Sequence, residues 1–179
     1  MRVLALASRT RRAASWLLLA AAAACATVQP LPQLASAPAA FQTTGRLAVR
    51  QGDRSDIAKI RWTHRDQRDV WVIASPLGNE VARIESTADG AVMSANGGTV
   101  EAPSFEDLTQ RVLGVGIDPA LLGAWLHAKA DAGAPAGWKV SLDEVQDAGA
   151  VRIARRITAS RGDVSVRWVV DSYEALPSS

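Results

Sequence analysis

The residue best suited to covalent chemistry in this 179-residue chain is its only thiol, Cys25. It directly follows a short apolar run, Trp16-Leu17-Leu18-Leu19 and the alanines from Ala20 to Ala24. That run lies behind a basic segment holding Arg2, Arg9, Arg11 and Arg12. A positive segment, a short apolar segment and small residues at the cut make a secretory signal peptide. A cysteine immediately after the cut points to lipoprotein processing, in which the thiol is diacylated and the new amine is usually acylated. Ala22 stands three positions before Cys25, where Leu is more usual, and an ordinary signal peptide with an incidental cysteine is the competing reading. Cys25 has no second cysteine to pair with, and a leftover thiol in an exported chain calls for a use. Lipidation supplies one, and several acyl chains anchor far more firmly than one. The apolar run falls short of the roughly 20 residues a spanning helix needs.

Other candidate chemistry is sparse. His64 and His127 are the only histidines, one at a polar strand end and one at a helix end, and both are expected on the surface. No Asp, Glu, His or Cys cluster has metal-ligand spacing, so no metal or cofactor is expected. There is no Gly-x-Ser-x-Gly elbow and no phosphate loop, and a cell-envelope hydrolase would lack both a nucleophile and an acid pair. Gly114-Val115-Gly116 lacks the rest of a dinucleotide fingerprint and reads as a helix cap. Arg161-Gly162-Asp163 falls between two alternating runs and reads as a hairpin turn. Removing residues 1–24 takes four of the 20 basic side chains and none of the 18 acidic ones, leaving a net charge of −2. The basic residues are spread along wet strand faces, so no nucleic-acid partner is expected. Arg46, Arg50, Lys59 and Arg61 remain open to three readings: lipid headgroups, an acidic partner, or a solvated sheet face.

The elements that must position these residues are mostly strands. Residues 26–41, rich in Pro, Ala and Ser, read as a tether, so the expected organisation is a signal peptide over 1–24, a lipidated tether over 25–41, one domain over 42–175 and a tail over 176–179. Within the domain, period-two alternation dominates. It runs through Leu47 and Val49, through Ala58, Ile60 and Trp62, and through Ala82 and Ile84. It resumes in Trp138, Val140 and Leu142, in Val151, Ile153 and Ile157, and in Val164, Val166, Trp168 and Val170. Val70-Trp71-Val72-Ile73 is apolar on both faces. Turn signals at Gly52-Asp53, Asp89-Gly90 and Asn96-Gly97-Gly98 separate the runs. In the middle, Ser104 with Asp107 predicts a capped helix ending at Gly114. Asp118-Pro119 predicts a second helix with Leu121, Leu122, Trp125 and Leu126 along one stripe. Six strands, two helices and at least three more strands predict a mainly β fold. Its expected form is a curved antiparallel sheet or a half-barrel whose helices lie over the open side.

Several stretches carry a family likeness. They are Gly45-Arg46-Leu47-Ala48-Val49, Trp62, Ser75-Pro76-Leu77-Gly78, Leu122-Gly123-Ala124-Trp125-Leu126, Trp138-Lys139-Val140, and the run from Ile157 to Val164. In their order and spacing the chain resembles the outer-membrane lipoprotein receptor family LolB. The resemblance implies an unclosed antiparallel β-barrel with a helical lid over a hydrophobic cavity, and no enzymatic activity. It implies receipt of lipoproteins, by their acyl chains, from the periplasmic carrier LolA. Their insertion into the inner leaflet of the outer membrane would follow. It places a membrane-insertion loop at Pro76, Leu77 and Gly78, with Leu77 as the inserting side chain. A monomer anchored in the outer membrane and facing the periplasm is expected. Ala26 agrees, since it lacks the Asp associated with inner-membrane retention. Two departures from the family pattern stand out: His127-Ala128-Lys129-Ala130, where a Gly and a Pro are usual, and Tyr173, where a Trp is common.

The candidate acyl-chain cavity is lined by Leu47, Val49, Ile60, Trp62, Val72, Ile84, Val140, Ile153, Val166 and Trp168, each equally compatible with a plain core position. Leu122, Trp125 and Leu126 are the candidate lid face. A tethered assembly lipoprotein with a solid interior, binding a protein partner, is the alternative.

Overall fold

The computed structural model describes residues 38–129 and 132–177. Cys25 and most of the expected tether lie outside the described residues. Six strands come first: β1 (Ala40–Gln51), β2 (Arg54–Arg65), β3 (Arg68–Ala74), β4 (Glu80–Thr87), β5 (Gly90–Ala95) and β6 (Gly98–Ala102). Helices α1 (Phe105–Leu113) and α2 (Pro119–Leu126) follow, then β7 (Lys139–Ala148), β8 (Val151–Arg161) and β9 (Val164–Ala175). β1 opens at Ala40, and Ala40 and Phe41 are both buried, so the first strand takes in the last two residues of the span read as tether.

All nine strands form one antiparallel sheet in the order β6-β5-β4-β3-β2-β1-β9-β8-β7. The chain therefore runs as a meander in two halves, joined where the first strand meets the last. Among the described residues the edge strands β6 and β7 do not pair, and the barrel stays open. Tight turns set the register. Asp66 and Gln67, between β2 and β3, have φ of 51° and 62°, the left-handed pair that a two-residue hairpin with properly twisted strands requires. That turn places Trp62 opposite Trp71, and Ile60 opposite Ile73.

Both helices are fixed by their ends. Ser104 accepts a hydrogen bond from the Asp107 backbone N–H, and Gly114 closes α1 at φ 74°, as a left-handed cap prefers. Asp118 caps α2 by accepting from the backbone N–H groups of Ala120 and Leu121, with Pro119 at the first helical position. α1 rests on β5 and β6, and α2 on β8. Phe105 and Leu108 of α1 and Leu122, Trp125 and Leu126 of α2 enter the same buried cluster as Trp62, Trp71 and Trp168. The helices therefore cover the inner, apolar side of the sheet. No helix among the described residues is long and apolar enough to cross a membrane.

Candidate functional site

At the centre of the inner face stands a group of tryptophans. Trp62 stacks on Trp71 at 4.3 Å between ring centroids, and Trp168 lies 5.8 Å from Trp62. Trp62 is held in place by its indole N–H, which donates to Asp69 at 2.6 Å, and His64 Nδ1 meets the same carboxylate oxygen at 2.8 Å. α2 lies directly against this group, since a methyl at Gly123 would stand 3.4 Å from the Trp62 ring.

Two clefts flank the tryptophans. The first, about 280 Å³, lies between α2 and the β8–β9 side; Val166 and Trp168 line it from the sheet and Leu122 and Trp125 from the lid, with Glu106, Asp118 and Arg161 among its polar neighbours. The second, about 160 Å³, lies under α1 and is lined by Leu47, Val49, Ile60 and Ile84 together with Trp71 and Ile73. Ile117 and Leu122 line both. Ile117 of the link between the helices and Leu122 of α2 therefore stand between two clefts, where the family resemblance implies one hydrophobic cavity. Ligand pockets run from about 300 to 1,000 Å³, so each cleft suits one slender hydrocarbon chain at most. Admitting several acyl chains requires the helices to lift.

The remaining sequence candidates are distributed as follows. Trp62, Ile153 and Leu126 are packed in the core and line neither cleft, and Val140 packs against that core half-buried. Val72 is a correction: it is buried, but the register pairs it with Arg61 and Arg83, on the outer face. Its neighbour Trp71 takes the inward place. A strand apolar on both sides gives no alternation to choose a face. The distance from Trp62 across the Asp66-Gln67 turn would have chosen it. Sequence reasoning also missed the cleft-lining Ile117 and Phe105, which lie in or beside the helices, where no strand alternation points inward. It placed Leu121 on the helix stripe without assigning it to the cavity or the lid.

Between β3 and β4 the chain makes a closed turn. The Gly78 N–H donates to the Ser75 carbonyl at 2.8 Å, and the Ser75 N–H donates to the Asn79 carbonyl at 2.9 Å. Pro76 occupies the second position, which its fixed φ suits. Leu77 is left at the tip, 90% exposed. A leucine so presented by a backbone-locked turn gains nothing from its own fold.

The histidines differ from expectation. His127 is 9% exposed, and it contacts the other departure from the family pattern. Its Nδ1 lies 2.7 Å from the Gly123 carbonyl and its Nε2 lies 2.8 Å from the Tyr173 hydroxyl. Nδ1 must carry the hydrogen, since a carbonyl can only accept. Nε2 then accepts from Tyr173, whose hydroxyl burial pushes up to about 12. Phe41 packs against His64, His127 and Tyr173. The pair thus ties the exit of α2 to β9, where Ala128 turns the chain at φ 53°. Burial pushes His127 below its ordinary 6.5; the Gly123 carbonyl pulls it back in part, and Lys129 and His64 add to the lowering. Below pH 6.5 the unfolded chain therefore binds a proton that the folded chain resists, and stability falls with acid. Melting temperature is expected to drop as pH is lowered from about 6.5 to 5.5, and His127→Gln is expected to flatten that slope. An unchanged slope in the variant would assign it to other groups.

Fold and site together define a class: an open antiparallel half-barrel roofed by two helices, apolar within, with one apolar residue projected from a turn. The profile of the family Outer membrane lipoprotein LolB matches residues 39–173. Proteins named Outer-membrane lipoprotein LolB are similar over most of their length. That of Thiobacillus denitrificans is 35% identical, over 86% of this chain and 91% of that protein. That of Cupriavidus necator is 32% identical, over 83% and 88%. That of Azoarcus sp. strain BH72 is 31% identical, over 86% and 89%. Among solved structures, a LolA superfamily protein from Nitrosomonas europaea aligns at TM-score 0.46 with 7% identity, over 80% of this chain and 89% of that one. The chain belongs to the LolB family of outer-membrane lipoproteins. It is a lipoprotein-transport protein and not an enzyme.

Proposed function

We propose that this protein receives lipoproteins from the periplasmic carrier LolA and inserts them into the inner leaflet of the outer membrane. In this reading it is held there, facing the periplasm, by acyl chains on Cys25. The observation that carries the reading is the pair of clefts between sheet and lid, the one under α1 mainly apolar and the one beside α2 apolar on its sheet and lid walls with charged neighbours. Each CH₂ of an acyl chain gains about 0.8 kcal/mol on leaving water, so cargo with several chains cannot cross an aqueous space unshielded. Leu47, Val49, Ile60 and Ile84 offer aliphatic surface in one cleft, and Val166 with the rings of Trp168 and Trp125 offers apolar surface in the other. Smooth apolar walls bind hydrocarbon without holding one shape, so a bilayer can take the chains onward. Leu122 lines both clefts, and movement of α2 would open one into the other.

The test is a two-step transfer with fluorescently acylated cargo. The chain from residue 26 onward, mixed with loaded carrier, is expected to take up the cargo and release it to phospholipid vesicles. If it neither takes cargo nor binds a fluorescent fatty acid, the transfer reading falls and the protein-binding alternative stands.

A further inference from the structure

We propose that the outer face of β1 and β2 is an anionic-lipid docking surface. Lys59 and Arg61 there bind headgroup phosphates of the membrane that Leu77 enters. The proposal rests on the transfer reading above and assigns that membrane a second set of contacts. The register places Arg46 directly opposite Lys59 across β1 and β2, and like charges in that position oppose folding. Arg46 is offset by Asp171 at 3.1 Å. Arg83, across Val72 from Arg61, is offset by Glu80 at 2.9 Å. Among the described residues Lys59 and Arg61 have no ion-pair partner. Both are exposed, and they line one shallow depression with Val72, Ala74, Asp171 and Gly78 of the projecting turn. Two uncompensated cations therefore sit beside the residue that holds Leu77 out.

The spacing fits a bilayer edge. Lys59 lies opposite Ala74, the last residue of β3, and Leu77 stands three residues beyond it. Arg61 is two residues further back, about 7 Å along the strand. The headgroup layer of one leaflet is about 5–8 Å thick. With Leu77 among acyl chains, Lys59 and Arg61 therefore come level with the phosphates. Continuity with Leu77 favours a membrane over an acidic protein as the occupant.

The test uses the chain from residue 26 onward, which keeps every buried core residue from Ala40 to Val170. It is sedimented with phosphatidylcholine vesicles, with and without phosphatidylglycerol, at low and high salt. Wild type is expected to prefer the anionic vesicles at low salt and to lose that preference at high salt. Lys59→Gln with Arg61→Gln is expected to weaken binding to anionic vesicles about thirtyfold, at about 1 kcal/mol per basic side chain near such a surface. Binding to neutral vesicles should not change, and the melting temperature should not fall, since removing the Lys59 charge relieves its opposition to Arg46. A double variant that keeps the wild-type preference overturns the proposal. So does one that binds vesicles normally but takes less cargo from the loaded carrier, since the face would then serve a protein. Leu77→Glu should weaken binding to both vesicle types. If only that effect is missing, the turn's role falls while the basic face stands.

Discussion

Leu77→Glu is expected to leave cargo uptake at the wild-type level and to cut delivery into vesicles at least tenfold. Leu77 lines neither cleft and is 90% exposed, so the change leaves the interior untouched and costs the fold little. The turn is closed by backbone hydrogen bonds from Gly78 to Ser75 and from Ser75 to Asn79, and these survive any side chain at the tip. What changes is the gain on contact with lipid. A buried leucine contributes about 1.5–3 kcal/mol, equivalent to roughly 10–150-fold in an equilibrium, and a carboxylate adds the cost of dehydrating a charge. Leu77→Phe keeps the apolar area and should keep delivery. The readout is the fraction of labelled cargo in floated vesicles, beside the fraction bound to the chain without vesicles. Delivery unchanged in Leu77→Glu would end the assignment of this turn.

Gly45→Ala is expected to destabilise the domain by about 3 kcal/mol, the upper part of the range for overpacking. A methyl at Gly45 would stand 2.3 Å from the Val169 carbonyl oxygen and 2.7 Å from the Trp168 indole nitrogen. Val169 offers backbone, which cannot swing away, and Trp168 is fully buried. The register between β1 and β9 shifts between Thr44 and Gly45, and there the two strands meet over the indole. Relief requires β9 to move, and Trp168 with it, so the first cleft would change shape as well. At about 2–4 °C per kcal/mol for a domain of this size, the melting temperature should fall by about 6–12 °C. A fall of less than about 2 °C would show that the β1–β9 seam yields more easily than its distances imply.

Some of this architecture is written locally. The caps at Ser104, Gly114 and Asp118-Pro119 each act within a few residues, and the structure places both helices there. The strand runs are likewise local, since a side chain alternates faces every second residue whatever it later pairs with. The order of six strands, two helices and three strands follows. Leu77 is similar: a leucine between Pro and Gly belongs to a turn, and turns lie outside.

Other features join residues far apart in the chain, and no local pattern reports them. His127 reads as a surface residue from its neighbours because its partner, Tyr173, is 46 positions away. Val72 and Trp71 are indistinguishable until the turn at Asp66-Gln67 fixes which of them faces Trp62. That β1 pairs with β9, making one sheet of two halves, depends on the first and last strands meeting. The sequence by itself determined the elements, their caps, the projecting turn and an apolar inner face. Only the tertiary structure decided that Ile117 and Leu122 divide the interior into two clefts. Periodicity assigns a side chain to a face, but empty space is a difference of volumes between elements, and it exists only once they pack.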